Sequence, residues 1–128
     1  MFKLYTVALA VIVICWGSVA SAQTAEEMVS ACGQVSGAKI TNGTVMLPRD
    51  FDTGFCWGAF ASFQQLGNLV ILPATEPLLG FCAPKSSTRT QLIAIFMDYA
   101  RRNPKRLNEN FETVALGALR QAFPCHSR

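Results

Sequence analysis

The sequence predicts a small all-α domain: four helices stapled by two disulfides, with either a short β-hairpin or a plain loop joining the first two. Three observations lead there. Two capping boxes, each a threonine followed three residues later by Glu or Gln, open runs of apolar residues at helical spacing. Two further apolar runs are bounded by Pro and by acidic residues. Four cysteines fall near the ends of these runs. A length of 128 residues allows one domain. With 51% apolar and 15% charged residues the chain has enough apolar surface to offset its conformational entropy, which excludes intrinsic disorder. Nine Gly and six Pro without a period exclude a collagen-like or low-complexity chain.

Residues 1–22 read as an export signal, and residues 23–128 as the helical domain. Lys3 supplies a positive start, Leu4 to Trp16 is an uncharged run of 13, and Ala20-Ser21-Ala22 places small residues at both positions a signal peptidase requires. The run is short for a bilayer span, which takes about 20 residues, so no stable membrane insertion is expected after cleavage. Ile14 before Cys15 is too bulky for lipoprotein attachment.

The first helix opens at Thr24-Ala25-Glu26-Glu27, carries Met28, Cys32 and Val35 on one face, and ends at Gly33, Ser36 and Gly37. Asn42-Gly43 between the β-prone runs Lys39–Thr41 and Thr44–Met46 is a type I′ hairpin signal; an isolated hairpin is marginal in water, so a loop is the alternative. Asp50 or Asp52 opens the second helix, Thr53 to Leu66. Its apolar residues (Phe55, Cys56, Trp57, Phe60, Phe63 and Leu66 among them) cover nearly every side, which predicts burial all round. That burial comes either from its own bundle or from a second chain, with Phe55, Trp57, Phe60 and Phe63 as the homodimer contacts and the small Gly58 and Ser62 permitting close approach. Asn68 to Gly80, broken by Pro73 and Pro77, reads as an extended segment packed on the bundle. Thr88-Arg89-Thr90-Gln91 opens the third helix, which Pro104 stops. The fourth begins near Asn108, with Glu109 and Glu112 set against its positive end, and finishes before Phe123-Pro124-Cys125.

Removing the export signal leaves Cys32, Cys56, Cys82 and Cys125, an even number in an exported chain, hence two disulfides among three pairings. The absence of any Cys-x-x-Cys spacing argues against zinc. A short link makes the third and fourth helices antiparallel neighbours, which brings Cys82 beside Cys125. The same logic joins Cys32 to Cys56. No metal, cofactor or catalytic constellation is expected. The single His126 adjoins a cysteine that the disulfide occupies, and Asp50/Asp52 and Glu26/Glu27 read as helix N-terminal charges.

Charge is uneven. Gln23 to Pro84 holds two basic and five acidic residues, and Lys85 to Arg128 holds eight basic and three acidic. Arg101, Arg102, Lys105 and Arg106 crowd the link between the third and fourth helices. They read as solubilising charge or as a docking patch for an acidic partner. Nucleic acid is not an expected partner, because no aromatic residues are interleaved there.

Taken together, Phe55-Cys56-Trp57-Gly58-Ala59-Phe60, Phe81-Cys82-Ala83-Pro84, Gln91, Tyr99-Ala100-Arg101-Arg102-Asn103-Pro104, Ala115-Leu116-Gly117-Ala118-Leu119 and Phe123-Pro124-Cys125 resemble the Rap/Tai family. Its members are periplasmic immunity proteins that protect bacteria from peptidoglycan amidases delivered by type VI secretion. The resemblance spans roughly residues 25 to 125. It implies a helical homodimer that acts by occluding an effector's catalytic cleft, with the secreted cell-wall amidase as partner. Ala100 and Asn103 stand where the family often has Leu and His, and Ser62 where it has Gly. No contact residue carries over by motif. The hairpin turn at Asn42 and Gly43 is the first expected contact and the basic link the second, since a narrow turn enters a cleft more readily than a helix face does. A small stress chaperone and a carrier of hydrophobic ligands are the alternative functions.

Overall fold

The computed structural model describes residues 22–125. The expected export signal up to Ser21, with Cys15, and His126 lie outside the described residues. Among the described residues four helices form, α1 (Ala25–Ser36), α2 (Phe51–Leu66), α3 (Arg89–Arg102) and α4 (Phe111–Ala122), and a two-stranded antiparallel hairpin, β1 (Ile40–Thr41) and β2 (Thr44–Val45), joins the first two.

Thr24 caps α1 reciprocally. Its hydroxyl accepts from the Glu27 N–H at 3.3 Å, and its own N–H donates to the Glu27 carboxylate at 2.9 Å. The other exposed donors of that helix end meet the α3–α4 link: Ala25 N–H donates to the Glu109 carbonyl at 2.9 Å and Glu26 N–H to the Leu107 carbonyl at 3.0 Å. In the hairpin, Ile40 pairs with Val45 and Thr41 with Thr44. Asn42 and Gly43 both take positive φ, 52° and 76°, as a two-residue type I′ turn requires.

Helix α2 starts at Phe51, two residues ahead of the expected Thr53. Asp50 is its cap, accepting from the Thr53 N–H and the Thr53 hydroxyl at 2.8 Å each. These bonds satisfy Thr53, the one buried polar side chain among the described residues, and hold the Asp50 carboxyl below its usual range. On α3 the cap is half of the expected box. The Thr88 hydroxyl accepts from the Gln91 N–H and bonds with the Thr90 hydroxyl, but the reciprocal bond from the Thr88 N–H to the Gln91 side chain does not form. Helix α4 begins at Phe111, later than the expected Asn108. A 3₁₀ turn, Pro104–Arg106, occupies the link, and Glu109 pairs with Arg106 instead of facing the helix end.

Helix α1 packs against the other three helices. Phe60 and Phe63 of α2, Phe96 of α3 and Phe111 of α4 form the centre, their ring centroids 5.4–5.8 Å apart in tilted and edge-on contacts. Met28, Leu92, Ile93, Val114 and Leu119 close around them. Cys32–Cys56 ties α1 to α2, and Cys82–Cys125 ties the start of the α3 arm to the end of α4, with Cα atoms 5.3 and 5.0 Å apart. These are the two pairs expected from the helix ends. Cys82 N–H also donates to the Phe123 carbonyl at 2.8 Å, which aligns the second bridge.

Two expectations about burial fail. Helix α2 is not enclosed on all sides: Thr53, Cys56, Phe60 and Phe63 face inward, while Phe51, Phe55 and Leu66 are exposed. Nor is most of the 68–80 segment packed on the bundle: Leu69, Val70, Ile71, Leu72 and Leu78 are exposed, while Leu79 packs against the core. Four short helices present one seam each to a shared centre, and that centre is already filled by phenylalanine.

Candidate functional site

No helix among the described residues is long and apolar enough to cross a membrane. The two disulfides are the mark of an exported chain. The features left to account for are on the surface, and three regions stand out.

The first is the basic link. Arg101 and Arg102 both reach Asp98, at 2.8 and 2.6 Å, while remaining 75% and 60% exposed. The Asp98 carboxyl is held below its usual range by the hydrogen bonds from Arg101 and Arg102. Arg106 behaves differently. It forks onto Glu109 with bonds of 2.9 and 2.7 Å and donates to the Tyr99 hydroxyl at 2.6 Å. Its pKa is raised, by Glu109 first and then by Tyr99, and Glu109 is lowered in turn. Arg106 thus braces the α3–α4 link from inside, against the Tyr99 ring and beside Gly117. Lys105 is exposed beside it. The four expected contacts divide into two half-neutralised arginines, one exposed lysine and one structural arginine.

The second region is the hairpin turn. Asn42 and Gly43 sit at its tip with Thr41 and Thr44, all exposed, so the turn itself is polar. Ile40 and Met46, at its base, offer the large exposed apolar side chains.

The third region is one that sequence reasoning placed inside. The outer face of α2 shows Phe51 and Phe55, whose rings stack 6.0 Å apart, with Gly58 and Ser62 further along the same side. The chain then leaves Leu66 into a loop closed by Leu78 N–H donating to the Leu69 carbonyl at 2.7 Å. Leu72 in that loop is 86% exposed. Of the four aromatic residues expected at a dimer contact, Phe60 and Phe63 belong to the intramolecular core and have no surface to offer a second chain, whereas Phe55 and Trp57 keep some. The sequence held a signal for this division. Thr53, Cys56, Phe60 and Phe63 share one stripe, and the disulfide cysteine in it marks the inner side.

Against known proteins, the family model of the Rap1a immunity proteins matches residues 24–125. No curated protein and no solved structure matches the chain. The match covers the whole four-helix unit, both disulfides included, and the chain belongs to the Rap1a immunity protein family.

Proposed function

We propose that this Rap1a immunity protein is an exported, periplasmic inhibitor of a peptidoglycan amidase delivered by type VI secretion, and that it works as a homodimer after loss of residues 1–22. It acts by binding and needs no cofactor. An immunity protein binds a secreted effector, and the amidase is the effector class to which the Rap/Tai resemblance points. The observation that carries the contact surface is the exposed apolar loop 69–78. A typical monomer exposes large apolar side chains singly. Here Leu69, Val70, Ile71 and Leu72 are exposed in succession on a closed loop, suited to anchor in a cleft.

The loop displaces the hairpin turn as the first contact, because Asn42 and Gly43 carry no apolar anchor. The exposed charges of Arg101, Arg102 and Lys105 speed encounter with an acidic partner. Phe51, Phe55, Gly58 and Ser62 on the outer face of α2 meet the same residues of a second copy across a twofold axis.

The test is amidase activity of the effector encoded beside this gene, with and without the protein. Full inhibition at equimolar protein, relieved by Leu72→Asp, is the expected result. No inhibition at equimolar protein sinks the reading, and broad binding of unfolded clients at low pH would then favour the chaperone. The lipid carrier has less room, because the phenylalanine cluster fills the bundle centre where a ligand would sit.

A further inference from the structure

A groove of about 540 Å³ runs between the hairpin, α2 and the first turn of α3. Ile40 and Val45 form its apolar wall, Gln64 and Thr90 line it with polar groups, and Trp57 and Arg89 complete it. The Arg89 guanidinium lies over the Trp57 ring, 4.5 Å from its centroid. An arginine in that position is held by the face of the ring. Arg101, Arg102, Arg106 and Arg120 each donate to an oxygen of the protein itself. Among the described residues Arg89 has no such acceptor: its Nε is shut off from solvent without a partner, and no acidic side chain of theirs lines the groove.

An unpaired buried donor is costly, and the Arg89 side chain lines the groove with no carboxylate beside it, so a bound anion there would give the guanidinium an acceptor. The partial positive charge of the α3 N-terminus adds to its field. The apolar wall narrows the choice of ligand. A bare ion would leave Ile40 and Val45 unused, whereas an extended peptide lays an apolar side chain on them and a carboxylate on Arg89.

We propose that this groove binds a short acidic peptide segment of a partner protein, read through one carboxylate by Arg89 and through a neighbouring apolar residue by the hairpin. The site does not depend on which enzyme the protein inhibits. Asn42 and Gly43, the turn expected to enter a cleft, then belong to the element that walls one.

Trp57 reports on the site directly. Fluorescence of purified protein lacking residues 1–22, in which Trp57 is the one tryptophan, is followed during titration with two blocked peptides, acetyl-Val-Glu-Val-amide and acetyl-Val-Gln-Val-amide. The expected result is a saturable change with the Glu peptide and binding at least roughly tenfold weaker with the Gln peptide. Arg89→Gln should abolish that preference while circular dichroism stays unchanged. If Arg89→Gln does not fold, the two-peptide comparison on the native protein still decides. Equal binding of both peptides, no saturable change with either, or an Arg89→Gln protein that keeps the preference would overturn the proposal. Acetate competing as well as the Glu peptide would overturn its peptide half.

Discussion

The two faces of α2 have nearly the same chemistry and opposite fates. On one, Cys56, Phe60 and Phe63 meet α1, Phe96 and Phe111; on the other, Phe51 and Phe55 stack on each other in the open, and the apolar character runs on through Leu66 into the 69–78 loop. The inner face has been spent on folding. The outer one contributes little to the monomer and keeps its driving force for association. Apolar composition therefore says how much burial a segment can drive, and the partner decides where that burial happens.

The largest test of this contrast is a pair of truncations read by urea denaturation of dilute protein. Phe60→Ala should cost about 3–5 kcal/mol, because it leaves a cavity in the aromatic cluster. Phe51→Ala should cost within about 0.5 kcal/mol at high dilution. A larger cost for Phe51→Ala that grows with protein concentration would sharpen the contrast, since stability linked to a dimer depends on concentration. A large cost independent of concentration would break it.

The disulfides come next, because they pin the inner side. By chain entropy, opening the 43-residue bridge with Cys82→Ser and Cys125→Ser should cost about 4 kcal/mol, and opening the 24-residue bridge with Cys32→Ser and Cys56→Ser about 3.5 kcal/mol. Thermal denaturation with and without reductant checks both values. Leu72→Asp on the outer side should leave the urea midpoint unmoved yet weaken effector binding by about 2 kcal/mol, roughly thirtyfold, mainly in dissociation rate. Surface plasmon resonance separates the two rates. The double reversal Arg101→Glu and Arg102→Glu should instead slow association about tenfold at low salt, with the deficit shrinking as salt rises.

The smallest expected effect concerns acid. Asp50, Asp98 and Glu109 all have folded pKa values below the ordinary carboxylate range, held there by Thr53, by Arg101 and Arg102, and by Arg106. A depressed carboxylate stabilises the fold above its unfolded pKa, and the gain is lost as pH falls through its folded value. The melting temperature should therefore hold near neutrality and decline below about pH 4.3. Glu109→Gln should make that acid decline shallower, and an unchanged slope would remove the Arg106–Glu109 pair from the account.

Much of the local structure was legible in the chain. Thr24 with Glu27, Asp50 and Thr88 stand at the helix starts they signal, because a cap is a bond between residues three apart and needs nothing distant. Asn42-Gly43 makes its turn for the same reason. The pairings Cys32–Cys56 and Cys82–Cys125 followed from helix order and link length. The start of α4 was less legible: Glu109 suits a helix N-terminus, but Arg106 and the α1 donors claimed its side chain and carbonyl, and the helix waited until Phe111. Of the candidate contacts, the identity of Arg101, Arg102 and Lys105 as surface charge was readable, while the internal role of Arg106 depended on Tyr99 standing seven residues back.

The sequence by itself determined an all-α, twice-bridged domain with helix caps at Thr24, Asp50 and Thr88 and an excess of apolar surface, since each rests on bonds within a few residues or on the spacing of like residues; it left a hairpin and a loop as alternatives around Asn42 and Gly43. Only the tertiary structure decided which face of α2 is inside, that 69–78 stands clear of the bundle, and that Arg89 lies over Trp57 beside the hairpin without an acceptor. Periodicity groups residues onto a face. Whether that face is covered depends on how much room the other helices leave at the centre, and here four phenylalanine rings had already taken it.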